Sequence, residues 1–277
     1  MRRTVLITIM TVLPLIVAAQ NPVALCKEMF AAIAAAETIT MKMESYERTG
    51  STYETTKFFI KRSRKPLNIY YRQYFPKDGA EILLKKDGML WVNPGSFPWV
   101  TLDMDVNSSL LLKNQHHTIM DAGFDFFAMV LSDLIRSHSD SLPQLIKLQG
   151  QEKINETLCY KIGFSNPGYH LYSYTLTKAE TPQQLASRLK IPAYKICELN
   201  QISSVTQRVS AGTKLTLPSE YAKSMILWLA KDTRIPAKME IYDEKGLFEK
   251  YIFNEVVINP VFKSNEFEKT FHEYNFR

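Results

Sequence analysis

The residues best suited to nucleophilic chemistry are one cysteine, Cys159, and two adjacent histidines, His116 and His117. A thiol beside an imidazole can act as a Cys–His nucleophile pair. Cys159, however, stands in the apolar run Leu-Cys-Tyr-Lys-Ile at 158–162, with no glycine-rich turn or helix start to expose and activate it. We therefore predict that Cys159 is a buried structural cysteine.

Carboxylates and metal ligands give no stronger sign of catalysis. Asp103, Asp105 and Asp121 supply carboxyl groups of the kind that glycoside hydrolases use in pairs, but none falls in a recognisable motif. The sequence has no His-x-x-x-His or Cys-x-x-Cys spacing that would indicate a metal site. Because His116 and His117 cannot both point inward from a helix, we expect one to pack or cap and the other to be exposed. The sequence predicts a non-enzymatic protein without metal or cofactor.

The first 20 residues have the anatomy of a secretory signal peptide. Arg2 and Arg3 form a basic start, an apolar run follows over 5–17, and small residues before Gln20 suit cleavage. This run is shorter than the roughly 20 apolar residues that a membrane-spanning helix needs. We therefore predict an exported protein that is peripheral to a membrane at most.

Charge limits the class of partner. The formal charge of +6 is interspersed along the chain, and 61–65 is the only dense basic run. We interpret that run as a solvated hairpin tip, and contact with acidic wall polymers or a membrane surface is the alternative. Nothing in the sequence resembles a nucleic-acid-binding motif.

Three cysteines, Cys26, Cys159 and Cys197, make an odd count for an oxidising compartment. One disulfide with a free thiol and three buried thiols both remain open.

Hydrophobic patterning predicts the elements that must position these residues. We expect a helix over 21–39, strands over 40–74, a hairpin over 81–92 with an Asp-Gly turn, and a helical stretch over 110–138 in two pieces. Strands follow over 145–164 and again over 225–258. The second helical piece carries one apolar stripe, formed by Phe127, Val130, Leu131, Leu134 and Ile135.

The last strand carries apolar side chains on both faces. Phe248 and Ile252 lie on one face, and Tyr251 and Phe253 lie on the other. Because a sheet with one buried face alternates more cleanly, we expect both faces to be covered, by helices on one side and a loop or inserted segment on the other. An internal apolar cavity is the alternative.

The segment 174–218 has the order strand, helix, helix, strand. Its first helix begins with a capping box of Thr181 and Gln184, with proline at the first helical position. A second short helix ends at Asn200, and Leu215 and Leu217 then alternate with polar residues as in a half-buried strand.

This segment resembles the LysM module, a βααβ domain that binds N-acetylglucosamine-containing glycans such as peptidoglycan or chitin. The matching positions are Thr181, Leu185, Ala186, Ile196, Asn200, Gly212, Leu215, Leu217 and Pro218. The sequence departs from the family pattern at Ala179, Glu180 and Pro182. The resemblance implies a shallow glycan groove between two loops, with the binding residues Ala179, Glu180, Thr181, Pro182, Ile202, Ser203, Ser204 and Val205.

The remainder of the chain is similar to the LolA-like lipoprotein-carrier superfamily. The run 228–246 carries the similarity: a hydrophobic strand, an aspartate, a proline, a second strand and an acidic turn with glycine. The resemblance implies a curved antiparallel half-barrel whose concave face is lidded by helices and can hold acyl chains.

Together these resemblances predict an α+β protein. A LolA-like β half-barrel with covering helices, over 21–173 and 219–277, would be interrupted by a small βααβ LysM-like domain at 174–218. We expect it in the periplasm or cell envelope of a bacterium, with the signal peptide 1–20 removed. Its expected partners are peptidoglycan or a related N-acetylglucosamine glycan and a lipid or lipoprotein acyl chain. The alternatives are a carrier whose LysM-like unit is only structural and a cell-wall hydrolase.

Overall fold

The computed structural model describes residues 20–97 and 99–277. The expected signal peptide therefore lies almost wholly outside the described residues. The helices are α1 Pro22–Ala35, α2 Asp125–Ser137, α3 Leu142–Leu145, α4 Pro182–Leu189 and α5 Ala193–Asn200. The strands are β1 Thr38–Thr49, β2 Thr52–Ser63, β3 Asn68–Phe75, β4 Glu81–Leu84, β5 Leu90–Asn93, β6 Leu102–Met104, β7 Ile146–Ile154, β8 Thr157–Ser165, β9 Leu171–Thr175, β10 Lys214–Pro218, β11 Ser224–Ala230, β12 Pro236–Asp243 and β13 Gly246–Ile258. In this described part, no helix is both long and apolar enough to cross a membrane.

Eleven strands form one open antiparallel sheet, in the order β6-β5-β4-β3-β2-β1-β13-β12-β11-β8-β7. The chain builds one half of the sheet with β1 to β6 and the other half with β7, β8 and β11 to β13. The long strands β1 and β13 pair at the centre and join the halves. The sheet does not close into a barrel, and the predicted α+β class is confirmed.

The main core lies between one face of this sheet and helices α1 and α2. In β1, every second residue from Ile39 to Ser45 is buried, which is the period of a strand with one face against a core. The predicted stripe of α2 packs there: Phe127, Val130, Leu131 and Leu134 are buried and Ile135 is partly buried. The hydrophobic pattern thus predicted correctly which faces pack together.

The first half of the predicted helical stretch is a loop. Only α2 and a short 3₁₀ turn, Ile119–Asp121, are helical between 110 and 138. Asn114 has φ 58°, a left-handed conformation that cannot continue a right-handed helix. The amide of His116 donates to a carboxylate oxygen of Glu47 in β1 rather than to a helical carbonyl. We call residues 105–118, which lie over the sheet, the cover loop.

The interpretation of 61–65 as a solvated tip is wrong. Lys61 is buried in β2, and its ammonium lies 2.7 Å from a carboxylate oxygen of Glu266. Arg62 and Arg64 both pair with Asp125 at the first turn of α2. A carboxylate there also suits the positive end of the helix dipole, so this basic run fixes α2 to the sheet.

Residues 171–218, which we call the insert, form a separate small unit of sheet and helices. Strands β9 and β10 pair with each other, and Leu171 lies opposite Pro218. The first strand covers 171–175 instead of the expected 174–178. Helices α4 and α5 cover this hairpin around a core of Leu176, Leu185, Ala186, Ile191, Ile196, Leu215 and Leu217.

A buried group of ion pairs fixes the insert to the large sheet. Lys195 of α5 is almost completely buried, and its ammonium lies 2.6 Å from Asp243, 2.6 Å from Glu244 and 2.9 Å from Glu198. Arg48, at the end of β1, pairs with Asp243 and lies 3.5 Å from Glu198. Since Asp243 and Glu244 belong to the β12–β13 turn, this ion-pair cluster sets how the insert sits on the sheet.

We predict that Lys195→Met lowers the free energy of unfolding by about 3 kcal/mol, because it leaves buried carboxylates without their main cation. Urea denaturation measures the change. Lys245→Met is the matched control, since its half-exposed ammonium also pairs with Glu198, at 3.2 Å. An exposed pair of this kind contributes about 0–1 kcal/mol. Equal effects of the two substitutions would contradict the importance of the buried cluster.

Candidate glycan-binding loops and an apolar cavity

The two loops that the sequence predicts as a glycan groove lie side by side in the insert. The first connects β9 to α4, and the second connects α5 to β10. The amide of Val209 donates to the carbonyl of Glu180 at 3.0 Å, and the amide of Glu180 donates back at 3.2 Å. The amide of Gln183 donates to the carbonyl of Val205 at 3.0 Å. Backbone hydrogen bonds therefore join the loops into one surface.

The predicted binding residues differ in how far their side chains reach solvent. Glu180, Pro182 and Val205 are buried, Ser203 is exposed, and the other four, Ala179, Thr181, Ile202 and Ser204, are half-buried. The Glu180 carboxylate is held by Arg188 at 2.5 Å within the insert.

The predicted capping box at the start of α4 is confirmed. The hydroxyl of Thr181 accepts from the Gln184 amide at 3.2 Å, and the Gln184 side chain accepts from the Thr181 amide at 3.0 Å. Thr181 is therefore committed to the helix end, and a substitution there costs about 1 kcal/mol of stability in addition to any effect on a ligand.

Val205 occupies the contact between the insert and the cover loop. Its side chain packs with Cys197 of α5 and with Leu112 of the cover loop. A ligand does not reach this side chain while the contact stands. The glycan assignment of the eight residues stays a prediction, and Ser203 is the residue whose side chain is most open to a ligand.

An apolar cavity of about 460 Å³ lies between the sheet and the cover loop. Its volume falls in the range of small-molecule sites, about 300–1,000 Å³. The sheet lines it with apolar side chains, which include Met43, Phe58, Tyr71, Ile82, Leu90, Val92 and Tyr251. The cover loop and the 3₁₀ turn close it with Leu110, Leu111, Leu112 and Ile119. The apolar cavity that was the alternative interpretation of the last strand's pattern is thus present, and Tyr251 of β13 lies in its wall.

A second cavity, of about 560 Å³, lies between the insert, α2 and the cover loop. Helix α2 contributes Met129 and Leu134 to its wall, and α4 contributes Ala186 and Leu189. The two cavities share part of their lining, namely Val106, Leu112, Gln115, His117, Thr118 and Asp121. The cover loop therefore separates them.

A buried carboxylate, Glu249, stands beneath this loop and binds both histidines. It lies 2.8 Å from Nδ1 of His116 and 3.5 Å from Nε2 of His117, and the hydroxyl of Tyr221 donates to it at 3.1 Å. The expectation of one exposed histidine is wrong. It assumed a helix, whereas an irregular loop lets both imidazoles turn toward one carboxylate.

Charge attraction at this carboxylate outweighs the cost of burial. Burial alone would lower the pKa of His117, but the nearby Glu249 carboxylate raises it to about 9. Burial alone would raise the pKa of Glu249, but His117 and His116 lower it to about 2. His117 and Glu249 therefore form an ion pair at neutral pH that holds the cover loop to β13.

Cys159 lies in a different part of the molecule from this carboxylate. It is fully buried in a small cluster with Trp228 and Ala237, and burial raises the pKa of its thiol to about 11. Its predicted burial is confirmed. Cys26 and Cys197 are also free and buried, which resolves the open choice in favour of three thiols. Among residues 20–97 and 99–277, no cluster of His, Cys, Asp and Glu could hold a metal ion.

We predict a loss of stability at alkaline pH that depends on His117. The pKa of its imidazole is about 9 when folded and 6.5 ordinarily, so its stabilisation is complete below pH 6.5 and is lost as pH rises through 9. The change is on the order of 3 kcal/mol. Urea denaturation, measured at intervals of about one pH unit between pH 6 and pH 10, gives the slope of the free energy of unfolding against pH. This slope should be flatter in His117→Gln than in the unaltered protein. The exposed His272→Gln should keep the slope, and a slope kept by both variants would contradict the ion pair.

Comparison with known proteins identifies the insert. Residues 174–218 match the family model described as LysM domain. No curated protein matches the chain.

Several solved structures are similar over most of the chain. The lipoprotein LppX of Mycobacterium tuberculosis is 12% identical, with 87% of this chain and 99% of that chain covered and a TM-score of 0.41. LprF of Mycobacterium bovis is 9% identical, with 88% and 95% covered and a TM-score of 0.41. The MucA/MucB complex of Pseudomonas aeruginosa is 12% identical, with 88% of this chain but 60% of that chain covered and a TM-score of 0.40. The family match falls within the insert, so the part of the chain that is similar to the LysM domain is the small unit that accompanies the larger sheet.

Proposed function

We propose that this protein is exported to the cell envelope, where its LysM domain binds peptidoglycan or a related N-acetylglucosamine glycan. The chain would divide into that domain, 174–218, and a LolA-like domain, 21–173 with 219–277, which holds a lipid or lipoprotein acyl chain. The family match of 174–218 is the observation that carries the proposal.

The pairing of the two insert loops supports glycan binding. Their backbone hydrogen bonds fix the groove before a ligand arrives, so little conformational entropy is lost on binding. Ser203 points a side chain into solvent at this surface, where its hydroxyl also donates to Gln207 at 2.7 Å. Sugar hydroxyls can exchange hydrogen bonds with such groups and with the loop backbone.

The cavity beneath the cover loop supports lipid binding. Most of its lining is apolar, and the charged side chains that also line it, Glu47, His117 and Asp121, belong to β1, the cover loop and the 3₁₀ turn. Transfer of an acyl chain from water into such a space gains roughly 0.8 kcal/mol for each buried methylene. A carrier whose LysM domain is only structural remains the second candidate, because none of the eight residues assigned to glycan binding lines this cavity.

A non-enzymatic role is part of the proposal. Cys159 packs with Trp228 and Ala237, whereas His116 and His117 bind Glu249. Both histidines are thereby engaged in holding the cover loop. This arrangement favours binding over catalysis.

The glycan proposal predicts that Ser203→Trp lowers binding to insoluble peptidoglycan about 10-fold, because a bulky side chain fills the groove and removes about 1.4 kcal/mol of binding free energy. Cosedimentation of the chain from residue 21 measures the binding. Thr216→Trp is the matched control, since Thr216 pairs with the exposed Ser173 on the outer face of the β9–β10 hairpin. Point substitutions are preferable to deleting the domain, because deletion would expose the ion-pair cluster. Undiminished binding by Ser203→Trp would contradict the assigned groove.

The lipid proposal predicts that Ser45→Met, which places an apolar side chain inside the cavity, reduces bound fatty acid. Methionine fills irregular space with little strain. Native mass spectrometry of the chain, before and after incubation with palmitate, measures occupancy. Ser173→Met on the insert surface should leave occupancy unchanged. A chain that stays empty under all conditions would contradict the lipid proposal while leaving glycan binding open.

A further inference from the structure

The connection between β5 and β6, which the structure describes at residues 94–97 and 99–101, presents apolar side chains to solvent. Phe97 is 83% exposed and Trp99 is 61% exposed, and Val100 is also exposed. Aromatic side chains of this size carry a large apolar surface, and a contiguous exposed group of them marks an interaction site.

This connection borders the mouth of the cavity beneath the cover loop. It leaves the cavity wall at Pro94 and returns to it at Leu102. Leu110 of the cover loop also lines the cavity, yet it is 70% exposed, so it stands at the opening. We call Phe97, Trp99, Val100 and Leu110 the apolar tip.

The base of the tip is held in place, so the exposed side chains are presented outward. The Asn93 side chain donates to the carbonyl of Asn275 at 2.9 Å and accepts from the Gly95 amide at 3.0 Å. Gly95 has φ 63° and packs so closely that a β-carbon would lie 2.4 Å from the carbonyl carbon of Gly79. At the other end, the hydroxyl of Thr101 accepts from the amide of Arg277 at 2.7 Å.

Cationic side chains accompany the tip. Lys113 is exposed and follows the leucines of the cover loop, and Arg277 is exposed beside Thr101. The ammonium of Lys269 lies 3.3 Å from the Arg277 carbonyl. Tryptophan and phenylalanine next to lysine and arginine are the side chains that favour the interface of an anionic bilayer.

We propose that the apolar tip docks on the surface of an anionic phospholipid bilayer and places the mouth of the cavity against it. Four apolar side chains are far fewer than the roughly 20–30 residues that each partner contributes to a stable protein interface. Reversible binding to a bilayer surface scales with the apolar area buried and with the attraction of cations to anionic lipids. The docking deepens the proposed lipid function, because it supplies the cavity with its ligand directly from the membrane.

Vesicles of phosphatidylglycerol and phosphatidylethanolamine test the docking with the chain from residue 21. Trp228 is buried and Trp91 is half-buried, so Trp99 dominates any change in tryptophan fluorescence on binding. We expect cosedimentation with the vesicles and a blue shift of emission. Phe97→Ser with Val100→Ser should weaken vesicle binding about 10-fold, and Trp99→Ser should abolish the shift. Trp99→Phe should retain binding.

Val261→Ser is the matched control, since Val261 is exposed but follows β13 and belongs to neither the β5–β6 connection nor the cover loop. Absence of vesicle binding, or equal binding by the tip variants, would overturn the proposal. A third outcome is that the chain does not bind vesicles but forms concentration-dependent dimers, which the tip variants abolish. That result would overturn membrane docking and would show that the tip binds a second copy of this chain.

A water-soluble fluorescent fatty acid separates this inference from the proposed function. Tip variants should bind that probe as the unaltered chain does, because the cavity itself is intact. If the chain binds vesicles but does not bind the probe, the membrane-docking proposal stands and the proposal of lipid binding in the cavity is contradicted. If the chain binds the probe but does not bind vesicles, the proposal of lipid binding in the cavity stands and the membrane-docking proposal is overturned.

Discussion

Burial of the Lys195 ammonium among carboxylates of the β12–β13 turn is the interaction on which the arrangement of this protein depends. Removing a charge from water costs several kcal/mol, and the cost is offset only when its partners are in place. These ion pairs therefore stabilise the position in which α5 faces the ends of β1 and β12. Arg48 reinforces the position by pairing with the same Asp243.

In that position, both the insert and the sheet contact the cover loop. From the insert, Val205 packs on Leu112, and the ring of Tyr194 stacks on His116 at 4.4 Å between centroids. From the sheet, Glu249 holds the two histidines of the loop. Because the loop roofs the apolar cavity and touches one glycan loop, the two proposed binding sites share a structural element.

Local chemistry made α2, the β4–β5 hairpin and the two helices of the insert predictable. Each of these features is formed by residues that lie close together in the sequence. Examples are the capping box of Thr181 and Gln184, the Asp-Gly turn after β4 and the apolar stripe of α2. The failures involve partners distant in sequence. Nothing near 61–65 indicates pairing with Asp125 or Glu266, and nothing near the two histidines indicates Glu249. Likewise, nothing near Val205 in the sequence indicates that Leu112 packs on its side chain.

The most direct test of the central claim is whether one molecule holds lipid and glycan together. The chain from residue 21 would be loaded with isotope-labelled palmitate, sedimented with insoluble peptidoglycan, and the label in the pellet compared with the protein in the pellet. If one molecule holds both ligands, label and protein will sediment together at the ratio present before sedimentation. Protein that remains in the supernatant, or that sediments without its label, would contradict it.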